Sequence, residues 1–338
     1  MNKSSKIFLL VLMAIVAFGS YKVFSDKENK KENDVNQVVL PVVRVAANAP
    51  AVPHLLSKIV ITQGYDKELG FQLNIQAIDP TLTISALLTN AVDLAVVGVV
   101  PAAQVNEEGV KVQLIGPALK LTCPFVVSSD SKAQKWQDLK GEKLGTPTKG
   151  GATYQALDVI MKAKSIEMTK YFKITEGQFF ALPSLLKNGS VDAFTGVCDE
   201  ISNGKWMAEG KTKAVGTMED LAKNIYGEDS GLILSAFGVK KEWLDANIQV
   251  AHNVMQAMSK ASAYIQEHPE VYDSETIRTE YKITEVEVPK IKSFISTYKN
   301  YNFSPWSTTI TGLKALLDDA FKYGVLKNKA ADNMFVSP

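Results

Sequence analysis

The sequence contains one short pattern twice, and this repetition constrains the fold more than any other feature. Residues 87–98 read LLTNAVDLAVVG, and residues 185–196 read LLKNGSVDAFTG. Each copy combines the end of an amphipathic helix, a turn, a Val-Asp pair and a buried strand. Helices that lead into buried strands are the repeating unit of open α/β sheets, so the chain is predicted to build two such sheets.

The first half of the chain alternates strands and helices. A β-rich run at 42–47 precedes an amphipathic helix from about His54 to Tyr65, and 71–78 alternates as a second strand. Residues 92–100 are almost continuously apolar, which is typical of a parallel strand covered on both faces. The order βαβαβ predicts a doubly wound α/β lobe.

The same alternation starts again near residue 121, and an apolar strand at 232–239 then returns to the first lobe. The chain thus crosses between the lobes twice, near 122–125 and near 230–234, and such a double crossing behaves as a hinge. The predicted fold is two doubly wound α/β lobes joined by a two-stranded hinge. Lobe 1 is predicted to comprise residues 38–122 and 235–338, and lobe 2 residues 123–234.

The C-terminal part is predicted to be helical. Apolar side chains from Trp243 to Ile265 are spaced like one face of a single long helix that ends at His268-Pro269. Residues 310–323 form a second amphipathic helix in the same interpretation.

The N-terminus is predicted to be a targeting segment. Lys3 and Lys6 precede an apolar run at 7–18, about as long as the apolar region of a signal peptide and shorter than the ~20 residues of a membrane span. Residues 1–24 are therefore predicted to be a signal peptide or an N-terminal anchor, and residues 25–37 a polar linker. Export to the periplasm or another extracytoplasmic space follows, with membrane anchoring if the leader stays uncleaved.

Charge and residue usage exclude several function classes. The 338 residues carry 37 Lys and Arg against 36 Asp and Glu, a net charge of +1, so no basic surface for nucleic acid is expected. The only arginines are Arg44 and Arg278, which argues against a guanidinium clamp for a carboxylate. Three histidines and two cysteines without metal-ligand spacing predict no metal site and no cofactor.

The two cysteines leave one question open. Cys123 lies at the first crossing and Cys198 close to the predicted cleft, and an oxidising compartment would allow a bridge if their Cα atoms come within ~7 Å. A bridge at the hinge would restrict opening, which favours two buried free thiols.

A small-residue loop in the second lobe has the properties of an anion site. Residues 148–153 allow backbone N–H groups to approach a ligand, and they precede a helix near Tyr154 whose free N–H donors and dipole favour an anion or a carbonyl group. The alternative to an anion site is structural: Gly150-Gly151 would form a tight turn, and Thr153 would cap the helix. The candidate ligand-binding residues here are Gly150, Gly151, Ala152, Thr153 and Tyr154.

Ligand groups on the first lobe should lie where strands end. Asn48 ends the first strand, and Thr81 and Thr83 begin the second helix. Gly98 ends the buried strand, and the apolar Val99 after it is expected to form a wall of the site that contacts carbon atoms of the ligand. The two threonines could equally be helix caps. On the second lobe, the acidic pair Asp199-Glu200 follows a buried strand. Asp199 or Glu200 could bind a cationic or hydrogen-bonding part of a ligand, or the pair could be a helix cap or a solvated face.

Four segments in this order carry a resemblance to a known family: residues 48–70, VDLAVVGVVPAAQ at 92–104, the stretch from PFVVSSD to YQALD at 124–158, and PSLLKNGSVDAF at 183–194. With the leader, they resemble the periplasmic substrate-binding proteins of ABC importers. The branch with the greatest similarity is the nitrate, sulfonate, taurine and thiamine-pyrimidine group, which has a type II two-lobe topology. The part from Asp138 to Tyr154 is the most specific.

The resemblance implies a solute-binding subunit that closes around a small molecule and delivers it to an ABC permease in the cytoplasmic membrane, without catalysis, as a monomer. The family often places an amide and a histidine after the first strand, which makes Asn48 and His54 candidates, although five residues separate them here. The first ligand class to test is an aliphatic sulfonate such as taurine, followed by a pyrimidine or nitrate.

Two other functions fit the same scaffold. A sensor subunit would bind a ligand with the same lobes and signal to a membrane protein. A thiamine-pyrimidine-synthase-like enzyme would share the fold, but the cysteine-rich motif of those enzymes is missing, and no nucleophile with a partnered base is found. Genes for a permease and an ATPase beside this one would distinguish transport from sensing.

Overall fold

Two five-stranded sheets form the framework of the computed structural model, which describes residues 39–47, 52–79, 82–228 and 230–338. The predicted leader and linker, residues 1–37, lie outside the described residues. The first sheet has the order β2-β1-β3-β10-β4. Its strands are β1 (Val42–Ala46), β2 (Gln72–Gln76), β3 (Leu94–Gly98), β4 (Val112–Lys120) and β10 (Ile233–Lys240).

The second sheet repeats this arrangement in the order β7-β6-β8-β5-β9. Its strands are β5 (Pro124–Ser128), β6 (Lys143–Thr146), β7 (Lys173–Glu176), β8 (Ala193–Phe194) and β9 (Thr212–Thr217). In each sheet the first three strands of the order pair in parallel, and the fourth strand pairs antiparallel with both of its neighbours. We call the first sheet and its helices lobe 1, and the second sheet and its helices lobe 2. The predicted class of two α/β lobes is confirmed.

Helices cover the faces of both sheets, because their apolar stripes must be buried against the strands. Lobe 2 carries α5 (Ala152–Ala163), α6 (Met168–Tyr171), α7 (Leu182–Lys187), α8 (Glu200–Ala208) and α9 (Met218–Tyr226). Lobe 1 carries α1 (Val52–Thr62), α2 (Tyr65–Glu68), α3 (Thr83–Leu88), α4 (Val99–Glu107), α10 (Lys241–Ala246), α11 (Ile248–Glu267), α12 (Glu275–Tyr281), α13 (Val288–Tyr298) and α14 (Trp306–Lys322).

The single long helix predicted from Trp243 to Ile265 is wrong, because it is divided into α10 and α11 at Asn247. The backbone of Asn247 has φ −136° and ψ 31°, outside the helical region. Its side-chain amide donates a 2.8 Å hydrogen bond to the carbonyl of Trp243, one turn back. Apolar spacing continues through the break, so periodicity alone does not reveal it.

Of the three apolar clusters among the described residues, one extends through both lobes. It joins Val97 of the first sheet to Leu144 of the second and includes Leu157 on α5 and Leu313 on α14. Helix α14 packs against α4 and β4 of lobe 1 and against α5 and α9 of lobe 2. Residues Pro41–Pro338 therefore form one compact unit. Within the described part of the chain, no helix combines the length and apolar character needed to cross a membrane.

Candidate functional site

Two threonine hydroxyls mark the ends of neighbouring strands in lobe 2. Thr146 is the last residue of β6, and Thr195 directly follows β8, which runs parallel to β6 in the next position of the sheet. Their exposed fractions are 1% and 0%, and neither hydroxyl has a hydrogen-bond partner. A buried hydroxyl without a partner costs free energy, and two of them at neighbouring strand ends make this edge of the sheet the candidate site.

The predicted small-residue loop lies beside these hydroxyls. The Thr153 hydroxyl donates a 3.3 Å hydrogen bond to the carbonyl of Gly196, the residue after Thr195. Gly151 occupies the N-cap position of α5 with an extended backbone, and its N–H donates to the Thr148 carbonyl at 2.8 Å. Because α5 begins at Ala152, its first N–H groups and the positive end of its dipole face this loop.

Lobe 1 meets the same loop through Gly98. An ideal Cβ atom on Gly98 would lie 2.3 Å from the Cβ atom of Ala152, so the first residues of α4 and α5 touch. One turn further, the Gln155 amide donates a 2.9 Å hydrogen bond to the side-chain oxygen of Gln104 on α4. Val99, which begins α4, is 1% exposed. The structure thus brings Gly98 and Val99 together with the predicted loop of lobe 2.

Other predicted residues occupy different surroundings. Asn48 and Thr81 lie outside the described residues. Thr83 is buried, and its hydroxyl donates a 2.9 Å hydrogen bond to the Val96 carbonyl. Tyr154 packs in the apolar core behind the loop. Gly150 is exposed, with open space around the position of a Cβ atom.

His54 lies in the first turn of α1 and is 9% exposed. Its Nδ1 atom is 2.6 Å from the Tyr281 hydroxyl on α12, and its Nε2 atom is 3.9 Å from Glu280. Burial lowers the pKa of His54, and this effect outweighs the nearby Glu280 charge. A neutral His54 therefore bonds to Tyr281 within lobe 1.

Asp199 occupies the N-cap position of α8, and a helix cap is one of the roles predicted for it. Its carboxylate accepts a 2.7 Å hydrogen bond from the Ser202 N–H, and the residue is 4% exposed. Burial, followed by the adjacent Glu200 charge, raises the pKa of Asp199 to about 7.

This raised pKa predicts a pH dependence of stability. Because native Asp199 binds its proton more tightly than the unfolded chain does, its contribution is fully present below the ordinary aspartate pKa of 3.8 and is lost as the pH rises to about 7. Asp199→Asn should therefore flatten the decline in unfolding free energy over this window, by at most about 1.4 kcal/mol per pH unit. Urea unfolding between pH 4.5 and 7.5 measures it. An unchanged decline in this variant would contradict the prediction, and Asp130→Asn at an exposed position is the control.

Glu200, the second residue of the acidic pair, joins the two lobes through two tyrosines that the sequence did not indicate. Its Oε1 atom accepts a 2.7 Å hydrogen bond from the Tyr272 hydroxyl and another from the Tyr301 hydroxyl, and Glu200 is 0% exposed. Nearby, α8 packs on α13, where Gly204 lies so close to Ile291 that a Cβ atom would be 2.5 Å from its side chain. In the sequence, the only sign of this contact is the acidic pair Asp199-Glu200 after a buried strand, because Tyr272 and Tyr301 lie far away along the chain.

The two cysteines form a disulfide, so the expectation of free thiols is wrong. Their Cα atoms are 4.0 Å apart. Cys123 precedes β5, and Cys198 follows β8, which is the neighbour of β5 in the second sheet. The bridge therefore joins the ends of two neighbouring strands of the second sheet.

A groove of about 570 Å³ lies in lobe 1, away from the predicted loop. Its walls include Met255 and Met258 on α11 together with Phe303 and Trp306 before and at the start of α14. Tyr301 borders it as well. Among the described residues, no group of three or more His, Cys, Asp or Glu side chains could hold a metal ion.

The chain is similar in sequence to a known family and to a known binding protein. The sequence model of the family described as NMT1/THI5 like matches residues 59–271. The putative binding protein YtlA of Bacillus subtilis is 25% identical over 273 residues, which cover 78% of this chain and 77% of that protein.

Solved structures share the fold at low identity. The periplasmic aliphatic sulphonate binding protein SsuA of Escherichia coli has a TM-score of 0.67 at 16% identity, over 86% of this chain and 95% of that one. The alkanesulfonate-binding protein SsuA of Xanthomonas axonopodis pv. citri, bound to MOPS, has a TM-score of 0.67 at 16% identity, over 88% and 98%.

Proposed function

Because the chain belongs to the NMT1/THI5-like family, we propose that it is the extracytoplasmic solute-binding subunit of an ABC importer. It captures a small anionic or polar organic ligand between its lobes and delivers it to a permease in the cytoplasmic membrane. An aliphatic sulfonate of the taurine type is the first ligand class. The two sulfonate-binding proteins of the same fold support this choice.

The observation that carries the proposal is the pair of unpartnered hydroxyls of Thr146 and Thr195 beside the start of α5. A sulfonate has three acceptor oxygens and no donor. Hydroxyl groups and free helix N–H groups can donate to it without any arginine, which agrees with the scarcity of arginine in this chain. The apolar wall at Val99 would then face the carbon part of the ligand.

Closure is the step that couples binding to delivery. Gly98 and Ala152 touch across the lobes, and Gln155 bonds to Gln104. A ligand that contacts both lobes stabilises this closed arrangement over the open one by the difference in its affinity for the two. In the proposal, only the closed form docks productively on the permease.

The disulfide supports an extracytoplasmic location, because such bridges persist in oxidising compartments. It also supports a binding protein over a cysteine-dependent enzyme, because both cysteines of the chain are in the bridge. The leader predicted at residues 1–24 would direct this export.

A thermal-shift screen tests the function. Sulfonates, taurine, nitrate, pyrimidines and amino acids are added to residues 38–338, since a ligand at 100 times its dissociation constant adds about 2.7 kcal/mol to native stability. A shift with sulfonates is the expected result. A shift confined to amino acids would contradict the proposed ligand class, and no shift with any compound would contradict capture of a ligand from these classes.

The double variant Thr146→Val/Thr195→Val locates the site. We expect it to lose the sulfonate shift while its unliganded unfolding free energy stays equal or rises by about 1 kcal/mol, because two unpartnered hydroxyls are removed at nearly constant volume. Thermal shift and urea unfolding measure the two effects. Thr169→Val, at an exposed position, is the control. Full retention of ligand binding would show that the hydroxyls do not contact the ligand.

A further inference from the structure

Two large apolar side chains are exposed at equivalent positions of the sequence repeat. When Leu87 of the first copy is aligned with Leu185 of the second, Leu82 falls on Phe180. Leu82 is 55% exposed and Phe180 is 53% exposed, and each lies just before the helix, α3 or α7, that leads into the repeated turn and strand. Single exposed apolar residues are common on protein surfaces, whereas this pair recurs at one position of both lobes.

Both side chains are presented from ordered surroundings. Leu82 occupies the N-cap position of α3, and its N–H donates a 2.8 Å hydrogen bond to the Asp79 carbonyl. The Phe180 ring packs edge-to-face on Phe179, with 5.0 Å between the ring centroids, and Phe179 in turn packs on the apolar cluster that includes Leu182. A side chain that is already held in place loses little entropy when a partner covers it, which favours a contact surface.

The pair flanks the cleft at the end of the lobes that is remote from the hinge. Leu82 and Phe180 follow the carboxyl ends of β2 and β7, on the same sheet edges as Gly98 and the start of α5, which touch across the lobes. Strands β2 and β7 come first in their sheets, and the crossings leave β4 for β5 and return to β10, at the opposite ends. Points far from a hinge move most when two lobes rotate, so the distance between Leu82 and Phe180 depends on closure.

The charges around the pair favour a protein partner over a lipid surface. Residues 77–87 and 175–185 contain no Lys, Arg or His and one acidic residue each, Asp79 and Glu176, both of which are exposed. An anionic membrane surface attracts clusters of Lys and Arg, which these segments lack. A complementary partner would carry basic side chains beside an apolar socket.

We propose that Leu82 and Phe180 are matched docking contacts for the permease, one on each lobe. This inference rests on the proposed function and adds the surface on which closure is recognised. Because the two contacts are equivalent, they fit a partner that presents the same apolar socket twice about a two-fold axis, as two copies of one chain do. A partner with a fixed distance between its sockets binds the closed arrangement more tightly than the open one, and thereby distinguishes them.

Site-specific cross-linking to the permease and ATPase complex encoded beside this gene, held in lipid discs, tests the contacts directly. The photoreactive residue benzoylphenylalanine is placed at position 82, at position 180 or, as the control, at position 248. Ile248 is exposed to a similar extent, 50%, and lies outside the repeat. Positions 82 and 180 are expected to link to the same segment of the permease chain, and position 248 to none. Cross-links to unrelated segments, or none from either position to a complex that the protein activates, would overturn the proposal.

Substitutions measure the contribution of each contact. Leu82→Ala and Phe180→Ala should each raise the protein concentration for half-maximal stimulation of ATP hydrolysis by roughly tenfold, the effect of removing one good interface side chain. The double variant should multiply the two effects, because the sites lie on different lobes. Ile248→Ala is the matched control and should change nothing. The melting temperatures of all four variants should stay that of the natural protein, since the side chains are exposed.

The outcomes separate this inference from the proposed function. If the natural protein stimulates the complex and Leu82→Ala/Phe180→Ala does so equally well, the importer function stands and the docking pair is wrong. If the natural protein does not stimulate the complex, the importer function is wrong and the docking pair falls with it. Flotation of residues 38–338 with vesicles of phosphatidylcholine and phosphatidylglycerol should show no binding. Binding that is lost in the double variant would assign the pair to the membrane and overturn the proposal.

Discussion

Reduction of the Cys123–Cys198 disulfide is expected to lower the free energy of unfolding by about 4 kcal/mol, the largest effect predicted for a local change. The bridge closes a loop over a sequence separation of 75 residues. Cutting it frees this part of the unfolded chain and raises its entropy, whereas the native contacts between β5 and β8 remain.

Urea unfolding measures this change with and without dithiothreitol. Cys123 and Cys198 are 0% and 2% exposed, so the protein must be incubated with the reductant through an unfolding and refolding cycle. The double variant Cys123→Ala/Cys198→Ala is the control and should not respond to reductant. A loss below about 1 kcal/mol in the natural protein would contradict the prediction.

Gly98→Ala is expected to weaken ligand binding roughly 10- to 100-fold, because a methyl group forced into a packed contact typically costs about 1–3 kcal/mol. The new Cβ atom would lie 2.3 Å from the Ala152 Cβ atom and 3.1 Å from its Cα atom. Neither of these atoms can rotate away, since both are fixed by the start of α5. The contact with Ala152 is relieved if the lobes separate, whereas a 3.1 Å contact with Pro101 Cδ on α4 remains, so the closed arrangement is penalised more than the open one.

Calorimetry with the ligand from the screen measures the affinity, and small-angle scattering measures the radius of gyration, which should increase without ligand. Ser129→Ala, at an exposed position outside the candidate site, is the control. The second-site change Ala152→Gly removes the opposing Cβ atom and should restore part of the affinity of Gly98→Ala. Affinity equal to that of the natural protein in Gly98→Ala would contradict the prediction.

Much of the framework could be predicted because it depends on local patterns. Buried strands such as 92–100 and the glycine loop before α5 follow from apolar runs and small residues near one another in sequence. The helix break at Asn247 could not be predicted from apolar spacing, because it depends on a hydrogen bond from the Asn247 side chain to the carbonyl of Trp243. The disulfide depends on β5 and β8 being neighbours, and strand order is not encoded near either cysteine.

The residues of the candidate site also fall into a group that could be predicted from the sequence and a group that could not. The loop at Gly151 and the cap at Asp199 could be predicted from residues that lie next to a helix start. The hydrogen bonds of Glu200 to Tyr272 and Tyr301 could not be predicted, because these tyrosines approach from the other lobe, 72 and 101 residues along the chain. The contact of Gly98 with Ala152 likewise exists only after both lobes have formed.

The apolar core that extends from Val97 through α14 to Leu144 has a consequence for how the molecule denatures. Two lobes with separate cores would melt in two steps, whereas here the removal of either lobe would expose apolar residues of the other to water. We therefore expect a single cooperative transition in calorimetry, with equal van't Hoff and calorimetric enthalpies. In the proposed function the lobes are units of movement, whereas the unit of folding is expected to be the whole of Pro41–Pro338.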